Sequence, residues 1–357
     1  MNYATLVLAT LILSLISAVA AYAQQPPTQP TAAQSEETPS SSKEPAPELE
    51  RPSVWGEPTT VNILIYVIDV DVVNSADQSF SASVFYEVRW NSPVLRHKGP
   101  GPLLRKTTEV WTPRLTIVNQ QQAWRAFPDY VEISPDGDVV LRQKIWGWFS
   151  QPLDLRNFPL DRQTLKIHIA AVGLLESQVA LTPLVREHGR SSGIAKQFSL
   201  PDFDVVSWKA QTQPYKPFEG QVGAAGFLME IDVKRRTNYY FWKIIFPLCL
   251  IVIMSWIPRW IEPTQIGTNI GIATTSFLTL VAYLFAVAHL LPRVSYFTRL
   301  DEFILLSTLM VFISLLQTAV TTTLIIKNTQ LMARIDWWSR IVYPLVLLAV
   351  LGISFGM

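Results

Sequence analysis

The sequence predicts an all-β sandwich of the immunoglobulin-like kind, followed by an all-α bundle of four membrane-spanning helices. The chain has 357 residues, of which 49% are hydrophobic and 16% charged, whereas roughly 25% are charged in a soluble domain. From position 239 to the end there are only seven Lys or Arg and four Asp or Glu residues. Before position 239, where most charges lie, apolar and polar residues alternate in short segments, which predicts strands. After it, long apolar segments predict membrane-spanning helices.

The N-terminus predicts export. Residues 4–21 are apolar and are followed by Ala21-Tyr22-Ala23, a pattern typical of a cleaved signal peptide over 1–23. No Lys or Arg precedes the apolar run, so an uncleaved anchor is the alternative. Residues 24–58 are rich in Pro, Gln, Ser and Glu, which predicts a disordered tether.

Alternating residues predict a β domain over 59–238. Its first strand has four apolar residues on one face, and its last strand has four more; they are Val61, Ile63, Ile65 and Val67, then Phe227, Met229, Ile231 and Val233. The segment 80–90 is rich in aromatic and β-branched residues, and Ser134-Pro135-Asp136-Gly137 predicts a turn between two strands. Many short strands separated by turns favour a sandwich.

Four apolar segments follow in a predicted membrane domain over 239–357, at 239–257, 265–291, 303–326 and 341–355. A span needs about 20 residues, which the fourth segment reaches if it begins near Asp336. An exported β domain puts the C-terminus outside as well. The third connector then lies in the cytoplasm, and its Lys327, Arg334 and Arg340 agree with the excess of cations found in cytoplasmic loops. We expect a multi-pass membrane protein whose β domain lies on the exported side.

The second segment carries a stripe at alternating steps of three and four residues, which lie on one helix face. We call it the pore stripe: Thr268, Gly271, Thr275, Leu278, Ala282, Phe285 and His289. Small and hydroxyl residues of this kind also pack helices together, so helix packing is one interpretation. The other is that several copies line a pore, in which Leu278 and Phe285 form dewetted constrictions.

Composition argues against several other classes of protein. A net charge of +1 gives no electrostatic footprint for nucleic acid, and the single cysteine, Cys249, excludes a disulfide within one chain. The four histidines, at positions 97, 168, 188 and 289, are far apart, and the sequence has no metal-binding, phosphate-binding or nucleophile motif. We therefore expect no enzyme, no cofactor and no metal site.

Three motifs follow one another along the chain: Trp111-Thr112-Pro113, Phe158-Pro159-Leu160-Asp161, and the second helix with its following loop at 281–296. In this order and spacing they resemble the pentameric ligand-gated ion channels, in particular the prokaryotic members that lack the disulfide of the animal receptors. The resemblance covers 59–357 and implies a homopentamer around a central pore, in the bacterial inner membrane with the β domain in the periplasm. It also implies that Leu278 and Phe285 form the gate, and that Phe158, Pro159, Asp161 and Arg235 meet Pro292 and Tyr296 where the two domains join.

The resemblance implies a ligand site between neighbouring subunits. Tyr215 and Phe218 match one side and Phe85 and Arg142 the other, whereas Val118 and Val172 stand where the family has aromatic residues. Arg142 would favour a small-molecule agonist that bears a carboxylate. Proton gating is an alternative, although Gln78 and Leu280 replace the residues that match sensors in one bacterial relative. His289 is then the candidate for titration near neutral pH.

Ion selectivity depends on the inner mouth of the pore. Gly267 and Thr268 match the positions of the family's selectivity ring, and Glu262 is the nearest acid. Five copies of Glu262 would concentrate cations, whereas Arg259, three residues earlier, would oppose this. We therefore expect a cation channel. The alternatives are an anion-selective channel of the same fold, and a non-channel receptor or scaffold with a periplasmic sensor domain.

Overall fold

The computed structural model describes residues 49–52, 56–185, 191–218, 222–327 and 329–356. The predicted signal peptide (1–23), most of the predicted tether (24–58) and His188 lie outside the described residues. Within the described ranges, twelve strands precede four long helices. The predicted order of a β part followed by a helical part is therefore confirmed.

The strands form two sheets, one ordered β10-β1-β2-β7-β6-β3, with β9 on β1 and β5 on β7, and one ordered β11-β12-β8-β4. Pairs next to each other in the chain, such as β1 with β2, are antiparallel. The strand bounds are β1 Thr59–Asn74, β2 Ser79–Asn91, β3 Leu103–Lys106, β4 Leu115–Ile117, β5 Gln120–Arg125, β6 Tyr130–Ile133, β7 Asp138–Ser150, β8 Arg162–Leu175, β9 Val179–Pro183, β10 Gly193–Ile194, β11 Phe203–Thr212 and β12 Ala224–Arg235.

The core of the sandwich lies between the two sheets. All eight residues of the two predicted apolar faces are buried, from Val61 in β1 to Val233 in β12. Phe80 and Phe149 from one sheet and Phe227 from the other are fully enclosed. In strands such as β7 and β8, burial alternates from one residue to the next, so that every second side chain enters this core.

The predicted turn joins β6 to β7. The amide of Gly137 donates to the carbonyl of Ser134 at 2.9 Å, and Gly137 has φ +84°, a value that favours glycine. A Cβ atom at this position would stand 2.6 Å from the carbonyl oxygen of Ser92. Another residue would therefore strain the backbone and also clash with the neighbouring loop.

Four helices are long and apolar enough to cross a membrane: α1 Asn238–Arg259, α2 Ile266–Val287, α3 Arg299–Lys327 and α4 Thr329–Phe355. Two of the differences from the predicted bounds bear on the site. Helix α2 ends at Val287, before Pro292, so His289 lies in a turn instead of in the helix. Helix α4 begins at Thr329, earlier than expected, and includes the charged residues Arg334, Asp336 and Arg340.

Helix α1 contains a π-helical segment, Phe241–Ile245, before its α-helical part Phe246–Trp256. Such a segment holds one more residue per turn and is rare in helices. The hydroxyl of Tyr283 in α2 donates to the carbonyl of Ile244 at 2.7 Å. The pore-stripe helix is thereby hydrogen-bonded to the outer end of α1.

Candidate functional site

The first six residues of the pore stripe lie on one face of α2, and His289 follows in the turn after the helix. All seven residues of the stripe are exposed in a single chain, with Leu278 at 67% and Phe285 at 73% of full exposure. The opposite face is buried against the other helices by Asn269, Ala273, Ser276, Leu280 and Val287. Because these residues are exposed, packing inside one chain does not account for the stripe.

Two hydroxyl groups of α2, those of Ser276 and Thr279, donate to carbonyl groups within the helix. Ser276 on the buried face donates to the carbonyl of Ile272 at 2.8 Å, and the exposed Thr279 donates to that of Thr275 at 2.8 Å. Neither of these two bonds crosses to another helix; the hydroxyl of α2 that does so is that of Tyr283, which donates to the carbonyl of Ile244 in α1. The exposed hydroxyl oxygens retain lone pairs that can accept hydrogen bonds from water or contact a cation.

At the inner end of the stripe, Glu262 and Gly267 are both exposed. Glu262 is the one charged residue in the segment 260–265 that leads from α1 to α2. Arg259, expected from the sequence to oppose it, is buried and paired with Asp336 at 3.2 Å. The side chain of Arg259 therefore points into the bundle instead of towards the solvent at the inner mouth.

Asp161 and Arg235 form a buried bidentate pair where the β domain meets the helices. Nε and Nη2 of Arg235 donate to the two carboxylate oxygens of Asp161 at 2.7 and 3.1 Å, and the side chains are 3% and 1% exposed. Gln163 donates a further hydrogen bond to Asp161 at 2.8 Å. Charged groups this deeply buried are tolerated because they are paired and hydrogen-bonded.

Aromatic rings complete the cage around the Arg235 guanidinium. It lies 4.3 Å from the ring of Phe203, 4.9 Å from that of Phe158 and 5.8 Å from that of Tyr240. Arg235 also donates to the hydroxyl of Ser75 at 2.9 Å, in the loop between β1 and β2. Sequence reasoning found Asp161 and Phe158 from the signature motif but missed Phe203, Tyr240 and Ser75, for which the sequence carried no signal.

The signature loop, residues 151–161, contacts the connector between α2 and α3. The hydroxyl of Tyr296 accepts a hydrogen bond from the amide of Leu155 at 3.0 Å and donates to the carbonyl of Leu153 at 3.3 Å. The amide of Leu300, at the start of α3, donates to the carbonyl of Phe158 at 3.2 Å. The peptide bond between Phe158 and Pro159 is cis, and both residues are buried.

Pro292 lies on the other side of the same junction. It lines a cavity of about 280 Å³ together with His289, the loop between β1 and β2, Phe158 and Arg235. The structure thus brings together the six residues for which a coupling role was expected. Two loops of the β domain meet one loop of the helical domain there.

The residues expected at the ligand site fall into two groups within one chain. Tyr215 lines a cavity of about 590 Å³ with Val118 and Val172 at the edge of the smaller sheet, and Phe218, 65% exposed, follows on the same hairpin. Phe85 and Arg142 lie on β2 and β7 of the larger sheet and do not line this cavity. One subunit alone therefore does not assemble all four residues.

Arg142 already has acidic partners. Its Nε pairs with Glu87 at 2.9 Å and its Nη1 with Glu132 at 2.7 Å. The hydrogen bond to Glu132 is the main cause that raises the pKa of Arg142. An anionic ligand at this position has to share the guanidinium with these carboxylates, which the sequence pattern did not reveal.

The hairpin that carries Tyr215 is fastened to β8 through a histidine. Nε2 of His168 lies 2.9 Å from the carbonyl oxygen of Gln213, and the His168 and Tyr215 rings meet edge to face at 5.4 Å. Burial lowers the pKa of His168 below its ordinary value of 6.5. The neutral imidazole, as a donor through Nε2, is therefore the form that the fold favours.

Comparison with known proteins agrees with this architecture. Residues 47–236 match the family model described as the neurotransmitter-gated ion-channel ligand binding domain, and residues 244–343 match that of the transmembrane region. The chain is 25% identical over 312 residues to the proton-gated ion channel of Gloeobacter violaceus, covering 83% of this chain and 82% of that protein. It is 26% identical over 291 residues to the glycine receptor subunit beta of Rattus norvegicus, and 23% identical over 282 residues to the gamma-aminobutyric acid receptor subunit beta of Caenorhabditis elegans. These matches cover 76% and 75% of this chain but only 56% and 50% of the two animal subunits, so the chain spans about half of their length.

Proposed function

This chain belongs to the neurotransmitter-gated ion-channel family, and we propose that it forms a homopentameric cation channel opened by a ligand bound between neighbouring β domains. Members of this family are ion channels and not enzymes, and the β domain lies on the extracellular side of the membrane. The four apolar helices make this chain a multi-pass membrane protein.

The exposed pore stripe is the observation that carries the proposal. A single helix cannot enclose a pore, so a pore lined by this stripe needs further copies arranged with cyclic symmetry. Five α2 helices facing one axis bring the rings of Leu278 and Phe285 together. Such apolar rings exclude water when they are narrow and thereby close the pore.

Cation selectivity is supported by the charges at the inner mouth. Glu262 is exposed, whereas the charge of Arg259 is buried beside Asp336. Five exposed carboxylates make the local potential negative, which raises the local concentration of cations. The burial of Arg259 beside Asp336 supports this sign, because Arg259 is the cation that the sequence set against Glu262.

The ligand site in this proposal combines two subunits. Tyr215 and Phe218 come from one β domain, and Phe85 and Arg142 come from the next. An agonist with a carboxylate group binds Arg142 in competition with Glu132, and the two aromatic side chains of the hairpin cover it. Binding that is tighter in one arrangement of the sandwiches shifts the channel towards that arrangement.

Opening is transmitted through the domain junction. The β domain contacts the connector between α2 and α3 at Pro292 and Tyr296, so a shift of the sandwich moves the outer end of α2. The pair of Asp161 and Arg235 keeps the signature loop and β12 together during this movement.

Electrophysiology of the full chain in oocytes or planar bilayers tests the channel. A screen of small carboxylates, other agonists and a pH series should elicit currents, and Leu278→Ser should ease opening because it admits water to the constriction. The matched control is Leu309→Ser, which changes an exposed leucine of α3. Absence of current from both the wild type and Leu278→Ser, with the protein at the cell surface, would refute the proposal.

Reversal potentials under dilution of NaCl test the sign of the permeant ion. The wild type should reverse near the sodium potential, and Glu262→Gln should move the reversal potential towards that of chloride. Glu302→Gln, in the first turn of α3 at the other end of the bundle, is the control and should leave it unchanged. Reversal of the wild type near the chloride potential would establish the anion-selective alternative.

A further inference from the structure

A second buried ion pair joins α1 to α4 at the end of the bundle opposite the β domain. Nη1 of Arg259 lies 3.2 Å from a carboxylate oxygen of Asp336, and the side chains are 3% and 13% exposed. A charge buried to this degree is costly without a partner. Asp336 is therefore the group that neutralises Arg259.

The remaining contacts hold the guanidinium inside the four-helix bundle. Nη2 of Arg259 donates to the carbonyl of Ser314 at 3.0 Å and to the hydroxyl of Thr318, and Nη1 donates to the hydroxyl of Thr321 at 3.3 Å. These three residues belong to α3. The side chain is thus fixed on the side of α1 that faces α3 and α4.

The inner end of the pore-stripe helix reaches the same cluster. Nδ2 of Asn269 in α2 donates to the carbonyl of Glu262 at 3.2 Å. Its Oδ1 and the Nε of Arg259 are buried without a partner in the described part of the chain, and both residues line a cavity of about 10 Å³. This is close to the space of one water molecule, which would bridge the donor and the acceptor.

We propose that Asp336, a residue of the fourth helix, determines the ion selectivity of the inner mouth by neutralising Arg259, so that Glu262 sets the sign of the field there. This inference rests on the proposed pore, in which each charge occurs five times around the axis. Arg340 lies nearby, with its guanidinium 5.1 Å from the ring of Trp260, and Arg334 is exposed. Arg334 and Arg340 are the same in every variant compared below, so they do not cause differences in conductance between the variants.

The two partners of the pair have opposite predicted effects. Asp336→Asn leaves five uncompensated cations beside the inner mouth, so the cation conductance should fall. Arg259→Gln leaves five uncompensated carboxylates, so it should rise. In the double variant the changes cancel, and the conductance should return towards the wild-type value. A purely structural role predicts harm from both single changes and no difference in sign.

The test is single-channel recording of the full-length channel in NaCl solutions of low and high ionic strength. At low ionic strength we expect each single variant to change cation conductance by about twofold, and the difference to shrink at high ionic strength because salt screens the field. Asp336→Glu keeps the charge and should restore the conductance that Asp336→Asn loses. Equal conductance in all variants, or changes of the same sign in both single variants, would overturn the proposal.

The design separates this inference from the proposed function. If Asp336→Asn does not assemble, the comparison of Arg259→Gln with the double variant still decides, because the proposal requires their conductances to differ. A cation-selective wild type with unchanged variants refutes the role of Asp336 and leaves the channel intact. An anion-selective wild type refutes the proposed selectivity, and opposite shifts of chloride conductance in the two single variants still support the role of Asp336.

Discussion

Replacing Asp161 with Asn should destabilise the channel strongly, because it leaves Arg235 charged and buried without its carboxylate. The guanidinium loses two hydrogen bonds to ionised oxygens, of 2.7 and 3.1 Å. Breaking a buried pair by removing one partner costs about 3–5 kcal/mol. Gating should also be impaired, since the pair holds the signature loop against β12.

The groups that surround Arg235 determine where in that range the loss of stability of Asp161→Asn falls. Ser75 and the rings of Phe158, Phe203 and Tyr240 remain in place in the variant. Each such ring contact is worth about 0.5–2 kcal/mol, so we expect the lower end, about 3 kcal/mol. For a unit of 150–250 residues this corresponds to a fall of about 6–12 °C in Tm.

The assay is the melting of the detergent-solubilised channel, followed by size-exclusion chromatography after heating. The neighbouring Arg236 provides a matched control, because its pair with Asp204 is exposed, at 53% and 61%, and surface pairs contribute little. Arg236→Gln should therefore change Tm little, whereas Arg235→Gln should lower it as Asp161→Asn does. The double variant of Asp161 and Arg235 should lose less than the sum of the two single losses.

Two results would refute this reasoning. One is a similar loss of Tm in Arg235→Gln and Arg236→Gln, which would mean that burial of the pair does not matter. The other is strict additivity in the double variant of Asp161 and Arg235, which would mean that the two groups do not interact.

Three further predictions concern the site. Tyr296→Phe removes two hydrogen bonds to the signature loop, each worth about 0.5–1.5 kcal/mol. It should therefore raise the agonist concentration for half-maximal current about tenfold. An unchanged dose-response curve would argue against coupling through this hydroxyl. Glu132→Gln frees Arg142 from one carboxylate, and a partly exposed ion pair is worth about 0.2–1 kcal/mol. The affinity for a carboxylate agonist should therefore increase about threefold in a competition-binding assay. Weaker binding by the variant would contradict this prediction. Because burial lowers the pKa of His168, its contribution to stability is complete above pH 6.5 and is lost as the pH falls through the depressed value. Acid should therefore loosen the hairpin of Tyr215 in the wild type but not in His168→Gln, as hydrogen-exchange protection factors would report; an equal pH dependence in both would contradict the assignment.

Much of the fold follows from local patterns in the sequence. Alternation identified the buried faces of β1 and β12, and hydropathy identified four spans. The start of α4 was missed because Arg334, Asp336 and Arg340 interrupt its hydropathy. A charge at this depth is acceptable only because Asp336 meets Arg259, a partner 77 positions away in the chain that no local pattern reveals.

In the candidate site, too, local patterns predicted some features, and others depend on tertiary contacts. The spacing of three and four along α2 predicted the stripe, because a helix repeats on that scale, and the structure leaves that face exposed. The surroundings of individual charges were not predictable. Arg142 was expected to bind an anionic ligand, but it pairs with Glu87 and Glu132. Arg259 was expected to repel cations at the inner mouth, but its side chain points into the bundle. Both depend on tertiary contacts.

The π-helical segment at the start of α1 determines which face of the rest of α1 points into the bundle. Arg235, three residues before α1, is locked in its cage, and below the segment Leu248 and Val252 are buried. Winding the same five residues, Phe241–Ile245, as an ordinary α-helix would give the turn one residue too many and would rotate the rest of α1 by about 100°. The same sequence of apolar residues would then face lipid instead of α2. The length of this one turn, and not its composition, decides which side of the first helix is inside.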